Sequence, residues 1–129
     1  NKPRIQILML TIRGGKQYEK RIAQITIDWA ISNLSLGDKK FTLRLLIQAL
    51  EDCYGECLPD KRRWLSDIPY SFVIKINAGM TIRDFVSTLI HEMIHVRQYI
   101  EDTWTHDGER ECEELEMFLT DKLWQSGLI

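Results

Sequence analysis

Residues 81–100 have the sequence TIRDFVSTLIHEMIHVRQYI, and the spacing of their apolar side chains indicates one amphipathic helix. Apolar residues recur at intervals of three and four, as on the buried face of a helix. This stripe consists of Ile82, Phe85, Val86, Leu89, Met93, Val96 and Ile100. Thr81 is a favourable N-cap residue, and Asp84 three positions later completes the pattern of a capping box. We therefore predict a helix that ends at about Ile100 or Glu101.

The opposite face of this helix is polar. It carries Asp84, Thr88, His91, His95 and Gln98, with Glu92 and Tyr99 at its margin. His91 and His95 are four residues apart, so both imidazoles can reach one zinc ion from the same side of the helix. Glu92 lies beside them, where a carboxylate can activate a water molecule. A solvated polar face is the alternative, but two histidines on a polar stripe fit a metal cleft better.

The flanking sequence predicts an α+β domain. Alternating apolar residues predict three strands and helical spacing predicts two further helices: strands 4–12, 41–49 and 71–77, and helices 16–34 and 109–124. The spacing within the second of these strands also permits a helix. Residues 52–60 carry Gly55 and Pro59 and are predicted to form a loop, while 64–69 are expected to form a short strand or an irregular edge. The order β, α, β, β, α, α packs helices on a small sheet.

Composition limits the domain organisation and the partners. The chain has 129 residues, of which 44% are hydrophobic and 28% charged, as expected for a single domain over residues 1–129. No apolar run approaches the ~20 residues that cross a bilayer, so no membrane partner is expected. The net charge is −2, and the densest basic cluster, residues 61–63, is short. A nucleic-acid partner is therefore not expected either.

The cysteines indicate the compartment. Cys53, Cys57 and Cys112 are an odd number, which argues against a disulfide framework. The N-terminus also lacks the apolar stretch of a signal peptide, so we predict a cytoplasmic protein. Cys53 and Cys57 are separated by three residues, and no second cysteine pair completes a tetrahedral zinc site. We therefore interpret the thiols as small buried hydrophobic groups.

Two histidines do not complete a catalytic zinc site, which normally has three protein ligands and a water molecule. The candidates for the third ligand follow the helix: His106 in the next loop, and Glu109, Glu111, Glu113, Glu114 and Glu116 in the last helix. Acidic side chains are favoured near helix N-termini for electrostatic reasons alone. Periodicity therefore leaves the choice among these residues open.

The segment 87–99, STLIHEMIHVRQY, resembles the active-site helix of zincin metallopeptidases. It is especially similar to small phage and bacterial members with a HExxHVxQ pattern, and the resemblance covers roughly residues 70–123. It implies a zincin-like minimal metalloprotease domain, in which a small mixed sheet packs with an N-terminal helix, the HExxH helix and a C-terminal helix. It also implies a Zn²⁺ cofactor bound by His91 and His95, with Glu92 as general base in the hydrolysis of a peptide or protein substrate.

The same resemblance implies a third ligand. In zincins with a glutamate ligand, that residue lies on the following helix, with a small residue three positions later and a polar partner four later. Glu109 fits, with Cys112 as the small residue and Glu113 as the polar partner, although the family usually has Ala and Asp or Asn there. Other members have an E-x-E-A segment, which residues 109–112 also resemble. This second match makes Glu111 the rival ligand.

Two further hypotheses compete with this one. SprT-like DNA-associated proteases also have an HExxH helix and take a later histidine as third ligand, which here implies His106. Arg110 stands where that family typically has an aromatic residue, and this sequence has no zinc ribbon or basic tail. The other alternative is a non-catalytic zinc-binding or interaction module that retains a zincin scaffold. For a peptidase, we expect strand 71–77 to be the sheet edge that pairs with an extended substrate.

Overall fold

Four strands and three helices make up residues 7–60, 70–102 and 108–129, the parts of the chain that a computed structural model describes. The elements are β1 (Ile7–Gly14), α1 (Gln17–Asn33), β2 (Phe41–Gln48), β3 (Gly55–Pro59), β4 (Tyr70–Asn77), α2 (Ile82–Glu101) and α3 (Gly108–Gln125). The fold is α+β, as predicted, and each predicted helix is present. The basic cluster 61–63 and the segment 64–69 lie outside the described residues.

The strands form one mixed sheet in the order β1-β2-β4-β3. Strand β2 pairs in parallel with β1 on one side and with β4 on the other, whereas β3 runs antiparallel to β4. The expectation that residues 71–77 form an open edge is therefore wrong, because β3 pairs with β4 along that side. Residues 55–59 were predicted to form a loop because of Gly55 and Pro59. An edge strand tolerates proline, since one side of its backbone makes no ladder hydrogen bonds.

One face of the sheet forms the core with the helices. The inward side chains of the two central strands are neighbours in the strand register: Phe41, Leu43, Leu45 and Ile47 of β2, and Tyr70, Phe72, Ile74 and Ile76 of β4. All are buried except the partly exposed Tyr70. Complete burial of a large apolar side chain stabilises the fold by roughly 1.5–3 kcal/mol. These two strands therefore fix the surface on which the helices pack.

Helix α2 lies in the middle of the molecule and contacts α1, α3, β3 and β4. Its predicted apolar stripe faces the core except for Ile82, which is exposed in the first turn. Thr81 caps the helix by accepting a hydrogen bond from the Asp84 amide at 3.2 Å. Its polar side is also covered, so that Glu92 and His95 are each 5% exposed. The histidines therefore do not belong to a solvated face, which was the alternative interpretation of their spacing.

A buried carboxylate fixes the turn that leads into α2. Glu19 of α1 accepts hydrogen bonds from the amide of Lys16 at 2.8 Å and from the amide of Gly79 at 3.0 Å. The second bond crosses from α1 to the turn after β4, where Gly79 has a φ of +81°. It thereby links the first helix to the start of α2. None of the described helices combines the length and the apolar character needed to cross a membrane.

Candidate metal centre

Helices α2 and α3 bring two histidines and one glutamate together. His91 and His95 lie one turn apart on α2, with ring centroids 4.9 Å apart. Glu109, in the first turn of α3, reaches both rings: its Oε2 lies 3.1 Å from His91 Nε2 and its Oε1 lies 2.7 Å from His95 Nε2. One carboxylate thus faces the same nitrogen of both imidazoles. The predicted residues His91, His95 and Glu109 therefore form one cluster.

The other ring nitrogen of each histidine also has a partner. Gln98 Oε1 lies 2.8 Å from His95 Nδ1, and Glu116 Oε2 lies 3.4 Å from His91 Nδ1. Histidines that bind metals usually make such a contact through the nitrogen that does not face the metal. The resemblance implies a polar residue at Glu113 and names no contact for it, whereas the carboxylate beside His91 Nδ1 is that of Glu116. Glu116 follows Glu109 by seven residues, two helical turns, so both lie on the side of α3 that faces α2.

Cys112 also lies inside the cluster. His91, His95 and Cys112 place one nitrogen or sulfur atom each within 4.8 Å of one another, so this group could hold a metal ion. The thiol is completely buried. Burial, and secondarily the negative charge of Glu109, raises the pKa of this thiol well above its usual range. Its burial agrees with the prediction of a small hydrophobic group, but its position three residues after Glu109 places it on the same side of α3 and inside the cluster.

The distances from the sulfur distinguish it from the carboxylate. Cys112 Sγ lies 3.4 Å from Nδ1 and 3.6 Å from Nε2 of His95. Because these distances are nearly equal, the sulfur lies against the ring and away from the axis of the Nε2 lone pair. A ligand that shares a metal with Nε2 lies outward from that nitrogen, and is therefore clearly farther from Nδ1 than from Nε2. In this conformation Glu109 is therefore better placed than Cys112 to complete the ligand set.

Glu92 is buried beside this cluster. Burial, together with the negative charges of Glu109, Glu56 and Glu116, raises the pKa of Glu92 from the ordinary 4.5 to about 8. The carboxylate borders an open cleft of about 250 Å³ between β3 and α2, lined by Tyr54, Gly55, Thr88, His91, Glu92 and Glu116. A molecule in this cleft would contact His91 and Glu92 together. The arrangement suits a base that exchanges a proton with a bound reactant.

The structure describes one of the two alternative third ligands, Glu111, and not the other, His106. The Glu111 carboxylate faces away from the rings: Oε1 accepts a hydrogen bond from Gln98 Nε2 at 2.7 Å, and Oε2 lies 3.9 Å from Arg97 Nη2. The structure thus places Glu111 beside the residue that contacts His95. His106 lies outside the described residues.

The donor set is of a type that binds zinc in other proteins. Two imidazole nitrogens and one carboxylate form a known class of zinc ligands, with bonds of about 2.0–2.2 Å. Tetrahedral geometry at those bond lengths separates neighbouring ligand atoms by roughly 3.3 Å. Glu109 Oε2 lies 3.1 Å from His91 Nε2 and Oε1 lies 2.7 Å from His95 Nε2, so each oxygen is slightly closer to its ring than this separation. The Glu109 side chain is 62% exposed, so it can withdraw and present one oxygen.

Comparison of the chain with protein-family models, with curated proteins and with solved structures gave no match. The function of the site is therefore argued from its own residues.

Proposed function

We propose that this chain is a zinc-dependent metallopeptidase with a zincin-like site, in which His91, His95 and Glu109 bind the metal and Glu92 is the general base. The observation that carries the proposal is the approach of one Glu109 carboxylate to Nε2 of both histidines. Two imidazole nitrogens and a carboxylate oxygen all offer lone pairs. A cation between them turns their mutual repulsion into attraction, so the cluster is suited to a metal ion.

The position of Glu92 supports hydrolysis rather than metal storage. When bound at such a site, zinc supplies Lewis-acid polarisation of a carbonyl group and acidifies a water molecule. Glu92 lies next to His91 in sequence, yet its carboxylate borders the cleft and is not part of the Glu109 contact. It can accept a proton from water and donate that proton to a leaving amine. Its burial keeps bulk water away from this transfer.

The cleft is suited to an extended peptide. Gly55 at the start of β3 lines the cleft, and β3 is an edge strand of the sheet. The edge of a strand offers unpaired backbone groups with which a peptide can form hydrogen bonds. We therefore assign to β3 the substrate-pairing role that the sequence analysis gave to residues 71–77.

The test combines metal binding with proteolysis. The wild-type protein should bind about one zinc ion per chain, and His95→Ala should remove most of that binding because too few ligands remain. Glu92→Gln should retain zinc and the fold but cleave a peptide library slower by a factor of at least roughly 10²–10⁴. Zinc content by mass spectrometry and cleavage by library digestion measure both. Cleavage that persists unchanged in Glu92→Gln would refute the assigned base.

A non-catalytic zinc module is the second candidate, and the position of Cys112 favours it. If Cys112 turned its sulfur toward the metal, His91, His95, Glu109 and Cys112 would form a closed four-ligand site with no position for water. Cobalt substitution distinguishes the two functions. A thiolate–cobalt charge-transfer band that disappears in Cys112→Ser would indicate the closed site, and its absence in the wild type would favour the peptidase.

A further inference from the structure

Gln98 is a buried amide that contacts both of the helices bearing the candidate ligands. It is 1% exposed and lies three residues after His95 on the same side of α2. Its Oε1 lies 2.8 Å from His95 Nδ1. Its Nε2 donates hydrogen bonds to the Gly108 carbonyl at 3.0 Å and to Glu111 Oε1 at 2.7 Å. All three contacts are internal to the protein.

The two acceptors fix the orientation of this amide. A backbone carbonyl accepts hydrogen bonds and never donates them, and a carboxylate behaves in the same way. The NH₂ group of Gln98 must therefore face Gly108 and Glu111, and its oxygen must face His95. Since an amide oxygen only accepts, His95 Nδ1 must carry a hydrogen. In a ring with one hydrogen, the lone pair then lies on Nε2, where it is available to a metal ion held between this ring and Glu109. Without a metal ion, the Glu109 carboxylate at 2.7 Å competes for the ring hydrogen.

The same amide also holds the start of α3. Gly108 is the first residue of α3 and immediately precedes Glu109. The bond from Gln98 to the Gly108 carbonyl therefore fixes the backbone next to Glu109, whose exposed side chain has few other restraints. Gln98 thus acts on the tautomer of one candidate ligand and on the position of another.

We propose that Gln98 is a positioning residue that holds His95 as its Nδ1–H tautomer and keeps Glu109 opposite Nε2. The role in metal binding rests on the proposed function, whereas the tautomer does not. Loss of such a partner of a ligating histidine typically lowers metal affinity by roughly 10–100-fold. A residue that served only to pack α2 against α3 would alter stability without selecting a tautomer.

The first measurement uses metal-free, ¹⁵N-labelled Glu109→Ala protein at alkaline pH, because the Glu109 carboxylate lies 2.7 Å from His95 Nε2 and would otherwise compete with Gln98 for the ring hydrogen. Two-bond ¹H–¹⁵N correlations report which ring nitrogen carries the hydrogen. We expect Nδ1–H in Glu109→Ala and a mixture of both tautomers when Gln98→Met is added, which keeps the side-chain size but removes the acceptor. An Nε2–H ring in Glu109→Ala would overturn the proposal, and this variant changes only an exposed side chain.

The second measurement is zinc affinity by competition with a chromogenic chelator. Gln98→Met should bind zinc roughly 10–100-fold more weakly. Gln98→Glu combined with Glu111→Gln should restore the tautomer preference, because an acceptor for His95 and an amide donor to it are both present again. Zinc affinity should recover only in part, because residue 98 can then no longer donate to the Gly108 carbonyl. Arg83→Met is the matched control, since it removes the Arg83–Asp121 ion pair between α2 and α3 away from the rings. It should lower stability without changing the tautomer or the affinity.

The outcomes separate this proposal from the proposed function. Wild-type affinity and tautomer in Gln98→Met would refute the positioning role even if the protein proves to be a peptidase. Protein that binds no zinc, yet loses the Nδ1–H tautomer in Gln98→Met, would refute the metallopeptidase and retain the role of Gln98 in setting the tautomer.

Discussion

At the scale of single residues, the neighbours of each side chain at this site restrict its orientation and its protonation. His95 lies between Gln98 and Glu109, and His91 lies between Glu116 and Glu109, so each ring contacts a different group at each nitrogen. Glu92 is instead largely buried beside other carboxylates, at the border of the open cleft. The histidines are thus oriented for binding, whereas Glu92 is placed where holding a proton is favourable.

Unfolding of the metal-free protein at different pH values tests the environment of Glu92. Its pKa in the folded protein is about 8, against an ordinary 4.5. The folded protein therefore retains a proton that the unfolded chain releases in this range. The stability from this group is present below pH 4.5 and is lost as the pH rises toward 8, at up to about 1.4 kcal/mol per pH unit.

Glu92→Gln is the comparison, because glutamine is never ionised. Chemical denaturation of both proteins should show the variant gaining stability over the wild type as the pH rises through this window. An equal pH dependence in the two proteins would mean that the Glu92 carboxylate is ionised at little cost in the folded state.

The ranking of zinc affinities among single alanine variants tests the third ligand. Glu109→Ala should weaken binding far more than Glu111→Ala, because only the Glu109 carboxylate faces both Nε2 atoms. We expect a smaller effect for Glu111→Ala, since this residue acts through Gln98. Isothermal titration gives the order. The largest loss in His106→Ala would instead support the SprT-like hypothesis.

At the scale of elements, the site lies where β3 and α3 cover the polar side of α2. Helix α3 supplies Glu109, Cys112 and Glu116, and β3 supplies the opposite wall of the cleft through Gly55. Neither element packs mainly on the sheet face that holds the core. The site therefore depends on an edge strand and on a helix that packs mainly on α2.

Gly55→Ala tests whether the absence of a side chain at this position, where β3 approaches α2 closely, leaves the cleft open. A Cβ at this position would lie 2.7 Å from Thr88 Cγ2, 3.2 Å from the Lys75 carbonyl oxygen and 3.3 Å from Glu92 Oε2. We expect a loss of about 1–3 kcal/mol in stability and slower peptide cleavage, with zinc binding unchanged.

Gly37→Ala is the control, because a Cβ there meets no atom of the described residues within 4 Å. Thermal unfolding, zinc titration and the cleavage assay should show little change in this variant. Cleavage at the wild-type rate in Gly55→Ala would mean that substrate does not use this part of the cleft.

For the whole molecule, the sequence predicts long periodic elements better than contacts between them. The helices and the strands at 41–49 and 71–77 have continuous apolar patterns, and the structure confirms all of them. Strand β3 was missed because it is short, contains Gly55 and Pro59, and depends on pairing with β4. His91, Glu92 and His95 were found together because their spacing is local to one helix. The contacts of Glu116 and Cys112 depend on how α3 crosses α2, which no local pattern specifies.

The separation along the chain between the ligand cluster and the cleft has a consequence for the order of folding. The cluster formed by His91, His95 and Glu109 belongs to two consecutive helices, so closing it requires only a short loop. The cleft beside Glu92 also requires β3, which β4 separates from α2 along the chain. Contacts between neighbouring elements generally form before contacts between distant ones. We therefore expect a nascent α2–α3 hairpin to bring the three candidate ligands together before β3 covers Glu92.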